Sequence, residues 1–228
     1  MKVVILCGGR GTRLNGERPK PLMEIGGRPI VSHVIAIYAA QGFRHFLLLT
    51  GYGGEAVAEW ASDDPRVECV DTGLDTPTGG RVRAVRERLG EPFCLTYADG
   101  VADIDLGALR GRHAQSGALA TMTVVRPELP FGVAMVQDGR VVGFREKPRA
   151  EQWVNGGFFV MEPAALRYLG PDAVLEREPL ERLAADGALA AYRHTGFWRC
   201  LDTAKDAVAL EEACAGGAPW LRGRTAAG

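Results

Sequence analysis

The sequence has no apolar run that approaches the roughly 18 consecutive residues of a membrane-spanning helix. Its N-terminus also lacks the charged, apolar and small-residue sections of a secretory signal peptide, because a strand-like run begins at Val3. From these two absences we expect a cytoplasmic protein with no membrane partner.

A surplus of charge of either sign is missing too. The chain holds 27 basic and 28 acidic residues, a formal net charge of −1. Nucleic acids and anionic membranes are bound by surfaces rich in Lys and Arg. We therefore expect no nucleic-acid partner, and any phosphate binding must come from a local cluster of cations.

Cysteine is sparse and irregularly placed, at Cys7, Cys69, Cys94, Cys200 and Cys214. An odd number with wide spacing fits neither a disulfide framework nor a zinc site. These residues are typical of small buried hydrophobic side chains in a reducing compartment.

The sequence does contain a regular alternation of strand-like and helix-like segments. The continuous apolar run at residues 3–7 is typical of a strand covered on both faces, as in a parallel sheet. The alternation predicts strands over 45–50, 67–70, 93–97 and 120–125, and helices over 30–40, 55–61, 81–89 and 105–115. Ligands gather at the carboxyl ends of such strands, here the loops after Cys7, Thr50 and Tyr97.

The pattern changes after residue 125. Alternating runs flank Asp138-Gly139, which predicts a β-hairpin, and a strand is expected over 155–161. Helices are expected from Pro163 and Pro179, a short strand over 189–192 and a last helix over 204–214. Since no low-complexity linker separates these segments, we predict one domain over residues 1–228 with two halves, 1–125 and 126–228.

The loop after the first strand, GGRGTRL at residues 8–14, is rich in glycine. It matches a dinucleotide-binding fingerprint weakly, because Leu14 stands where a third glycine should be. It fails as a P-loop, because Glu17 and Arg18 occupy the positions of the lysine and hydroxyl that contact phosphate. These mismatches argue against an NAD-dependent oxidoreductase and a P-loop NTPase.

A turn with converging backbone N–H groups and nearby cations remains suited to a triphosphate. The cations are Arg10, Arg13, Arg18 and Lys20. A tight turn with solvated arginines is the alternative that the loop alone leaves open.

The chain resembles the sugar-1-phosphate nucleotidylyltransferases along nearly its whole length, and within that family the glucose-1-phosphate cytidylyltransferases. The resemblance rests on GGRGTRL (8–14), RPKPLMEIGGRPI (18–30), VDTG (70–73), TGGRV (78–82), TYADGVAD (96–103), FGVAM (131–135), FREKP (144–148), NGGFFV (155–160), EPLERLAADGALAAYRHTGFW (178–198) and LDTAKD (201–206). It implies an α/β fold of the nucleotide-diphospho-sugar transferase type, with a Rossmann-like, mixed and mostly parallel sheet flanked by helices. The first half would bind the nucleotide and the second half the sugar phosphate.

The resemblance also implies roles for individual residues. Arg13 and Lys20 would be catalytic, and Asp99 and Asp202 would bind Mg²⁺, which prefers oxygen ligands. The implied nucleotide-binding residues are Leu6, Gly8, Gly9, Gly11, Thr12, Arg13, Lys20, Gly51, Thr78, Gly79, Gly80 and Asp99. The implied sugar-phosphate-binding residues are Tyr97, Gly132, Glu146, Lys147, Asn155, Gly156 and Glu178.

Taken singly, several of these residues have a simpler explanation. Each aspartate could be a turn or capping residue, and Glu146-Lys147 could be a solvated surface pair. Phe197 and Trp198 are expected in the core or a pocket wall, because they offer large area and no proton chemistry.

The expected reaction is transfer of a nucleotidyl group, with CTP favoured, to a sugar 1-phosphate such as glucose 1-phosphate. Another nucleotide (UTP, dTTP or GTP) or a modified sugar is the alternative, as is a non-catalytic nucleotide or sugar-phosphate binder.

The chain departs from the cytidylyltransferase pattern between Tyr52 and Val70, where it lacks a long insertion. A homo-oligomer is compatible with the resemblance, but this departure leaves its arrangement open. Arg18 replaces a lysine and Ala98 a glycine, both mild changes.

Overall fold

The computed structural model describes residues 1–9 and 18–221, and within them thirteen strands and six α-helices. The strands are β1 (Val3–Leu6), β2 (Glu24–Ile25), β3 (Arg28–Pro29), β4 (Phe46–Thr50), β5 (Val67–Asp71), β6 (Phe93–Tyr97), β7 (Gly100–Ala102), β8 (Ala120–Val125), β9 (Val133–Gln137), β10 (Arg140–Arg145), β11 (Val154–Met161), β12 (Leu189–Arg193) and β13 (Trp198–Cys200). The α-helices are α1 (Ile30–Ala40), α2 (Gly54–Ala61), α3 (Thr78–Ala84), α4 (Leu106–Ser116), α5 (Glu178–Ala185) and α6 (Ala204–Ala215). Short 3₁₀-helices cover Lys20–Leu22, Arg86–Arg88, Pro163–Tyr168 and Pro219–Leu221.

Seven strands form the central sheet, in the order β12-β8-β11-β6-β1-β4-β5. Neighbouring strands are parallel from β6 through β1 and β4 to β5, and β12 is parallel to β8. Only β11 runs antiparallel to its neighbours in this sheet. The prediction of a mixed, mostly parallel sheet flanked by helices is confirmed. Strands of both halves of the chain share this sheet, while the division at residue 125 stays a prediction.

The side chains of β1 show why this strand is apolar at every position. Val3 and Ile5 enter one hydrophobic cluster, formed with residues of α1, α2, α4 and α6. Val4 and Leu6 enter a second cluster on the opposite face, formed with residues of α3 and α5. Successive side chains of a strand point to opposite faces. A strand between two helical layers therefore needs an apolar residue at each position.

The hairpin predicted around Asp138-Gly139 is present as β9 and β10, which form a sheet of their own. Both turn residues have positive φ, 49° and 75°, as a type I′ turn requires. The hairpin leaves large apolar side chains exposed, among them Val136 and Phe144.

Two predicted helices differ in the structure. The helix expected over 81–89 begins earlier, as α3, and ends in the 3₁₀-helix Arg86–Arg88. Gly79 and Gly80 are poor helix formers, but they allow α3 to pack closely on the carbonyls of Ala173 and Pro171. The segment from Pro163 is a six-residue 3₁₀-helix. The pairs β2–β3 and β7–β13 were not predicted, because strands of two or three residues are too short to show alternation.

The 3₁₀-helix Pro219–Leu221 is joined through His33 of α1 to strand β2. The Trp220 indole donates to Nδ1 of His33 (3.1 Å), whose Nε2 lies 2.8 Å from the Ile25 carbonyl. Because Nδ1 accepts this bond, the imidazole is neutral and donates from Nε2. Burial lowers the pKa of His33, the Ile25 carbonyl opposes this, and the charges of Arg28 and Glu211 lower and raise it respectively.

None of the helices in residues 1–9 and 18–221 is both long and apolar enough to cross a lipid bilayer.

Candidate active site

A cavity of about 450 Å³ lies at the carboxyl ends of β1 and β6. This is the edge of the sheet where the sequence predicts ligand binding. Its lining comes from the two strand ends, the loop before α3 and the Lys20 segment: Leu6, Cys7, Gly8, Gly9, Lys20, Pro21, Leu74, Asp75, Thr76, Pro77, Thr78, Arg81, Tyr97, Ala98 and Asp99. Six of the implied nucleotide-binding residues, Leu6, Gly8, Gly9, Lys20, Thr78 and Asp99, therefore share one cavity.

The Lys20 ammonium lies between the carboxylates of Asp99 and Asp202. Its Nζ is 2.5 Å from Oδ2 of Asp99 and 2.6 Å from Oδ1 of Asp202. Lys20 lies between Pro19 and Pro21 and is the first residue of the 3₁₀-helix Lys20–Leu22. The Met23 N–H donates to the Lys20 carbonyl (3.1 Å). The prolines restrict the backbone that presents the ammonium.

The two aspartates meet because β7 and β13 pair. Gly100 in β7 is opposite Cys200 in β13, and the Leu201 N–H donates to the Asp99 carbonyl (2.9 Å). Asp99 immediately precedes β7, while Asp202 lies just after β13. This antiparallel pair brings together residues that lie about a hundred positions apart in the sequence.

The charge state of this triad follows from its surroundings. Burial alone would lower the pKa of Lys20, but the carboxylates of Asp99 and Asp202 raise it above its ordinary value. Burial also raises the pKa of Asp99, against the opposing effect of the Lys20 charge. The lysine is therefore held as a cation in a partly buried site.

The aspartate pair could hold a divalent metal ion. Both carboxylates already face one cation, the Lys20 ammonium, so both can reach a common point. In residues 1–9 and 18–221 no cluster of three or more His, Cys, Asp or Glu side chains surrounds such a point. Two protein carboxylates with phosphate and water oxygens are nevertheless the usual ligands of Mg²⁺. The residues thus fit a metal whose other ligands come from the substrate and solvent.

A second cavity, of about 280 Å³, lies against the same aspartates on the side of β11. Tyr97 and Asp99 line both cavities. The other lining residues are Thr96, Gly100, Asn155, Gly156, Gly157, Phe158, Trp198, Cys200 and Asp202. Of the implied sugar-binding residues, Tyr97, Asn155 and Gly156 are brought together here.

Hydrogen bonds hold the wall of this second cavity in place. Asn155 donates from Nδ2 to the Tyr97 hydroxyl (3.3 Å) and accepts at Oδ1 from the Gly157 N–H (2.8 Å). The Trp198 indole donates to the Gly156 carbonyl (2.8 Å), so it is part of the wall, as expected. Gly157 has φ of 82°, and a Cβ there would lie 2.7 Å from the Tyr97 ring. Glycine is required at that position for both reasons.

Arg81 is a site residue that the sequence analysis missed. Its guanidinium is buried and donates to five acceptors from three segments: the Thr50 carbonyl (2.6 Å), Thr72 Oγ1 (2.7 Å), and the Gly73 (2.8 Å), Gly8 (3.1 Å) and Leu74 (3.3 Å) carbonyls. It thus joins the loops after β1, β4 and β5 around the first cavity. The one signal in the sequence was its place after Gly79 and Gly80 in the TGGRV motif.

Glu176 is the second residue that was missed. Its carboxylate accepts hydrogen bonds from the Tyr97 hydroxyl (2.6 Å) and from Thr78 Oγ1 (2.7 Å). Glu178, the glutamate expected to bind the sugar, is exposed and lies 3.4 Å from Arg182 across one turn of α5. It lines neither cavity. Nothing in the sequence distinguishes the two glutamates. Glu176 differs from Glu178 in lying close to Thr78 of α3 and Tyr97 of β6, and this closeness is a property of the folded chain.

Several implied site residues lie away from the cavities. Gly51 packs against Arg81, whose guanidinium occupies the space that a Cβ would take. Gly79 and Gly80 are buried against the segment before α5. Gly132, Glu146 and Lys147 flank the exposed hairpin and line neither cavity. Gly11, Thr12 and Arg13 fall outside the described residues.

The arrangement presents one cationic group and two carboxylates at a junction between two cavities. Such a junction suits chemistry in which two phosphate-bearing molecules meet, one in each cavity, with charge neutralised between them.

Comparison with known proteins agrees with this geometry. The family model described as nucleotidyl transferase matches residues 2–194. A glucose-1-phosphate cytidylyltransferase of Salmonella typhi is 40% identical over 253 aligned positions, which cover 96% of this chain and 98% of that protein. That alignment is longer than the 228 residues of this chain, so the relative has segments that this chain lacks.

More distant proteins are similar over most of the chain. The catalytic subunit beta of a mannose-1-phosphate guanylyltransferase of Danio rerio is 31% identical, over 90% of this chain and 62% of its own length. The crystal structure of HddC from Yersinia pseudotuberculosis superposes with a TM-score of 0.73 at 18% identity, covering 93% of this chain and 99% of that one. The fold, the family match and these relatives lead to one conclusion: the chain belongs to the nucleotidyl transferase family, as a sugar-1-phosphate nucleotidyltransferase.

Proposed function

We propose that the protein transfers CMP from CTP to a sugar 1-phosphate, glucose 1-phosphate or a related sugar, and releases pyrophosphate. The choice of CTP and of glucose 1-phosphate is supported by the relative from Salmonella typhi, which is named for this reaction. The observation that carries the proposal is the Lys20 ammonium, held between Asp99 and Asp202 where two cavities adjoin.

In the proposed reaction the triphosphate occupies the cavity at β1, and the sugar 1-phosphate occupies the cavity at β11. An oxygen of the sugar phosphate attacks the α-phosphorus, a new P–O bond forms, and the bond to the departing pyrophosphate breaks. The attacking oxygen is already ionised at neutral pH, so no general base is needed. Catalysis then depends on positioning and charge neutralisation.

Lys20 supports this step as a permanent cation. Because the two carboxylates raise its pKa, the ammonium stays protonated and can donate to phosphate oxygens as the substrates enter. Asp99 and Asp202 would hold a Mg²⁺ ion, which would supply charge neutralisation for the triphosphate. We propose that Arg13 also contacts the triphosphate and that Lys147 binds the sugar phosphate. For these two residues the support is the family resemblance alone.

The test is a pyrophosphate-release assay over a grid of nucleoside triphosphates and sugar 1-phosphates, with Mg²⁺ present or chelated. We expect release with CTP and a sugar 1-phosphate, and loss of release on chelation. GTP with mannose 1-phosphate belongs in the grid because of the 31% identical guanylyltransferase relative. Release with UTP, dTTP or GTP but not with CTP would contradict the cytidylyl assignment, and no release with any pair would contradict the reaction.

Variants test the location of the site. We expect Lys20→Ala and Asp99→Asn each to lower turnover by roughly a hundredfold or more, because charge stabilisation at the reacting phosphate is lost. Asp64→Asn is the matched control, since the partner of the Asp64 carboxylate among the described residues is Arg66 (2.6 Å), in the turn before β5. Near-normal rates for both site variants would show that the reaction takes place elsewhere.

A further inference from the structure

Glu176 lies where the walls of the two cavities meet. It follows the buried Leu175 and precedes α5 by two residues. Glu176 is an exposed residue, yet both of its carboxylate oxygens accept hydrogen bonds from residues of the cavity walls. Oε1 accepts from the Tyr97 hydroxyl at 2.6 Å, and Oε2 accepts from Thr78 Oγ1 at 2.7 Å.

The two donors belong to different walls. Thr78 begins α3 and lines the cavity at β1. Its Oγ1 also accepts from the Leu175 N–H (2.9 Å), so it is held on two sides by one short segment. Tyr97 ends β6 and lines both cavities.

Beyond Tyr97 the chain of hydrogen bonds continues into the cavity at β11. The Tyr97 hydroxyl accepts from Asn155 Nδ2, and Asn155 Oδ1 accepts from the Gly157 N–H. A continuous network therefore runs from Thr78 through Glu176, Tyr97 and Asn155 to Gly157. In a connected network of this kind the direction of each hydrogen bond constrains the next, because each hydroxyl has only one proton to donate.

We propose that Glu176 is a positioning residue that couples the nucleotide cavity to the sugar cavity, by fixing the Tyr97 hydroxyl and through it the Asn155 side chain. The inference rests on the proposed function and concerns a residue that the family resemblance does not assign. In this arrangement the position of α3 at the nucleotide side sets the geometry with which Asn155 meets the sugar. A nucleotide that orders Thr78 then prepares the second cavity for the sugar 1-phosphate.

The chemistry of the network requires a carboxylate. Two hydroxyl donors bond to the two different oxygens of one side chain, and a carboxylate accepts at both. A carboxamide has one acceptor oxygen, so Glu176→Gln loses one of the two bonds and turns an N–H₂ group toward a donor.

The experiment compares Glu176→Gln with wild type and with Glu181→Gln, using the nucleotide and sugar pair that wild type turns over fastest. Glu181 is an exposed glutamate of α5 away from both cavities, so the same change of charge there serves as the matched control. Initial rates are measured against each substrate in turn, to separate the two KM values from kcat.

For Glu176→Gln we expect the KM for the sugar 1-phosphate to rise about fivefold to tenfold, the fold-change that corresponds to the loss of one hydrogen bond of ordinary strength at a solvent-exposed residue. Glu181→Gln should match wild type. A variant that is only partly folded would lower kcat through its active fraction and leave both KM values unchanged.

A double-mutant cycle with Tyr97→Phe isolates the contact. If Glu176 acts through Tyr97, the double variant Tyr97→Phe/Glu176→Gln should have a sugar KM no higher than the worse single variant. Additive effects, or a Glu176→Gln enzyme equal to the Glu181→Gln control, would overturn the inference while the proposed function stands. An inactive wild type would overturn the proposed function itself. Should Glu176→Gln fail to fold, Tyr97→Phe alone must show the same rise in sugar KM.

Discussion

Replacing Arg81 by methionine should loosen the nucleotide cavity and destabilise the fold. Arg81 is 4% exposed, and the five acceptors of its guanidinium are neutral oxygens. Burial lowers the pKa of Arg81, and the charges of Asp71 and Asp75 oppose this only in part. Burying a cation whose hydrogen bonds go to carbonyl and hydroxyl oxygens is costly, so its role must lie in the loops that it holds together.

The magnitude depends on which acceptors lose their only donor. The Thr50 carbonyl keeps the N–H and hydroxyl of Thr72 (3.1 and 2.8 Å) after Arg81→Met. Among the described residues, the Tyr52 N–H is then the one donor left to the Gly8 carbonyl, at a long distance (3.4 Å). One poorly paired buried carbonyl costs about 1–3 kcal/mol, and the lost bonds to a charged donor cost more. Relief from burying the charge offsets part of this, which leaves about 3 kcal/mol.

The assay is thermal unfolding combined with the KM for the nucleotide. A loss of about 3 kcal/mol lowers Tm by about 6–12 °C in a domain of this size. Looser loops should also lower kcat/KM for the nucleotide by about tenfold or more, because small misplacements are costly in catalysis. Arg86→Met is the control, since Arg86 is exposed and its guanidinium forms an ion pair with its neighbour Glu87 (3.2 Å). If Arg81→Met melts and binds nucleotide like Arg86→Met, the role assigned to Arg81 is wrong.

Three further changes have defined outcomes. The free energy of unfolding should fall as pH drops below about 6.5, because burial lowers the pKa of His33 in the folded protein and the unfolded chain therefore takes up the proton first. Thermal melts should show Tm falling more steeply with pH for wild type than for His33→Gln. Parallel curves for the two proteins would contradict this prediction. Added Mg²⁺ should raise Tm more in Lys20→Met than in wild type, because the variant removes the ammonium that faces Asp99 and Asp202. An equal rise in both proteins would argue against a metal site at these two aspartates. Gly157→Ala should cost more than about 1 kcal/mol in a denaturant titration, because of its φ of 82° and the close Tyr97 ring, whereas Gly90→Ala, with open space at its Cβ, should be tolerated.

Much of the fold followed from local patterns that physical chemistry makes strong. A parallel strand between helical layers must be apolar throughout, so β1 and β4 were predicted from composition alone. The hairpin at Asp138-Gly139 followed from the backbone requirements of its turn. The start of α3 was placed too late, because two glycines there are selected by packing against another segment and not by helix propensity.

For the site, residues at strand ends and in the lysine segment were predictable, and residues selected by distant packing were not. Lys20, Tyr97 and Asp99 meet at one cavity, as their positions after β1 and in β6 suggested. Arg81 and Glu176 were missed because their role depends on which loops happen to approach them. An arginine or glutamate on its own is more often a solvated surface residue.

The sequence by itself determined the class of sheet, the edge of the sheet at which the candidate site lies and the family to which the chain belongs, because periodicity, glycine placement and motif order are local properties. Only the tertiary structure decided that Asp99 and Asp202 share one lysine, since that depends on the pairing of β7 with β13. It likewise decided that Glu176 and not Glu178 reaches the site. Glu176 and Glu178 are only two positions apart, but Glu178 is already in α5 and Glu176 precedes it. Side chains two positions apart at the start of a helix point in different directions.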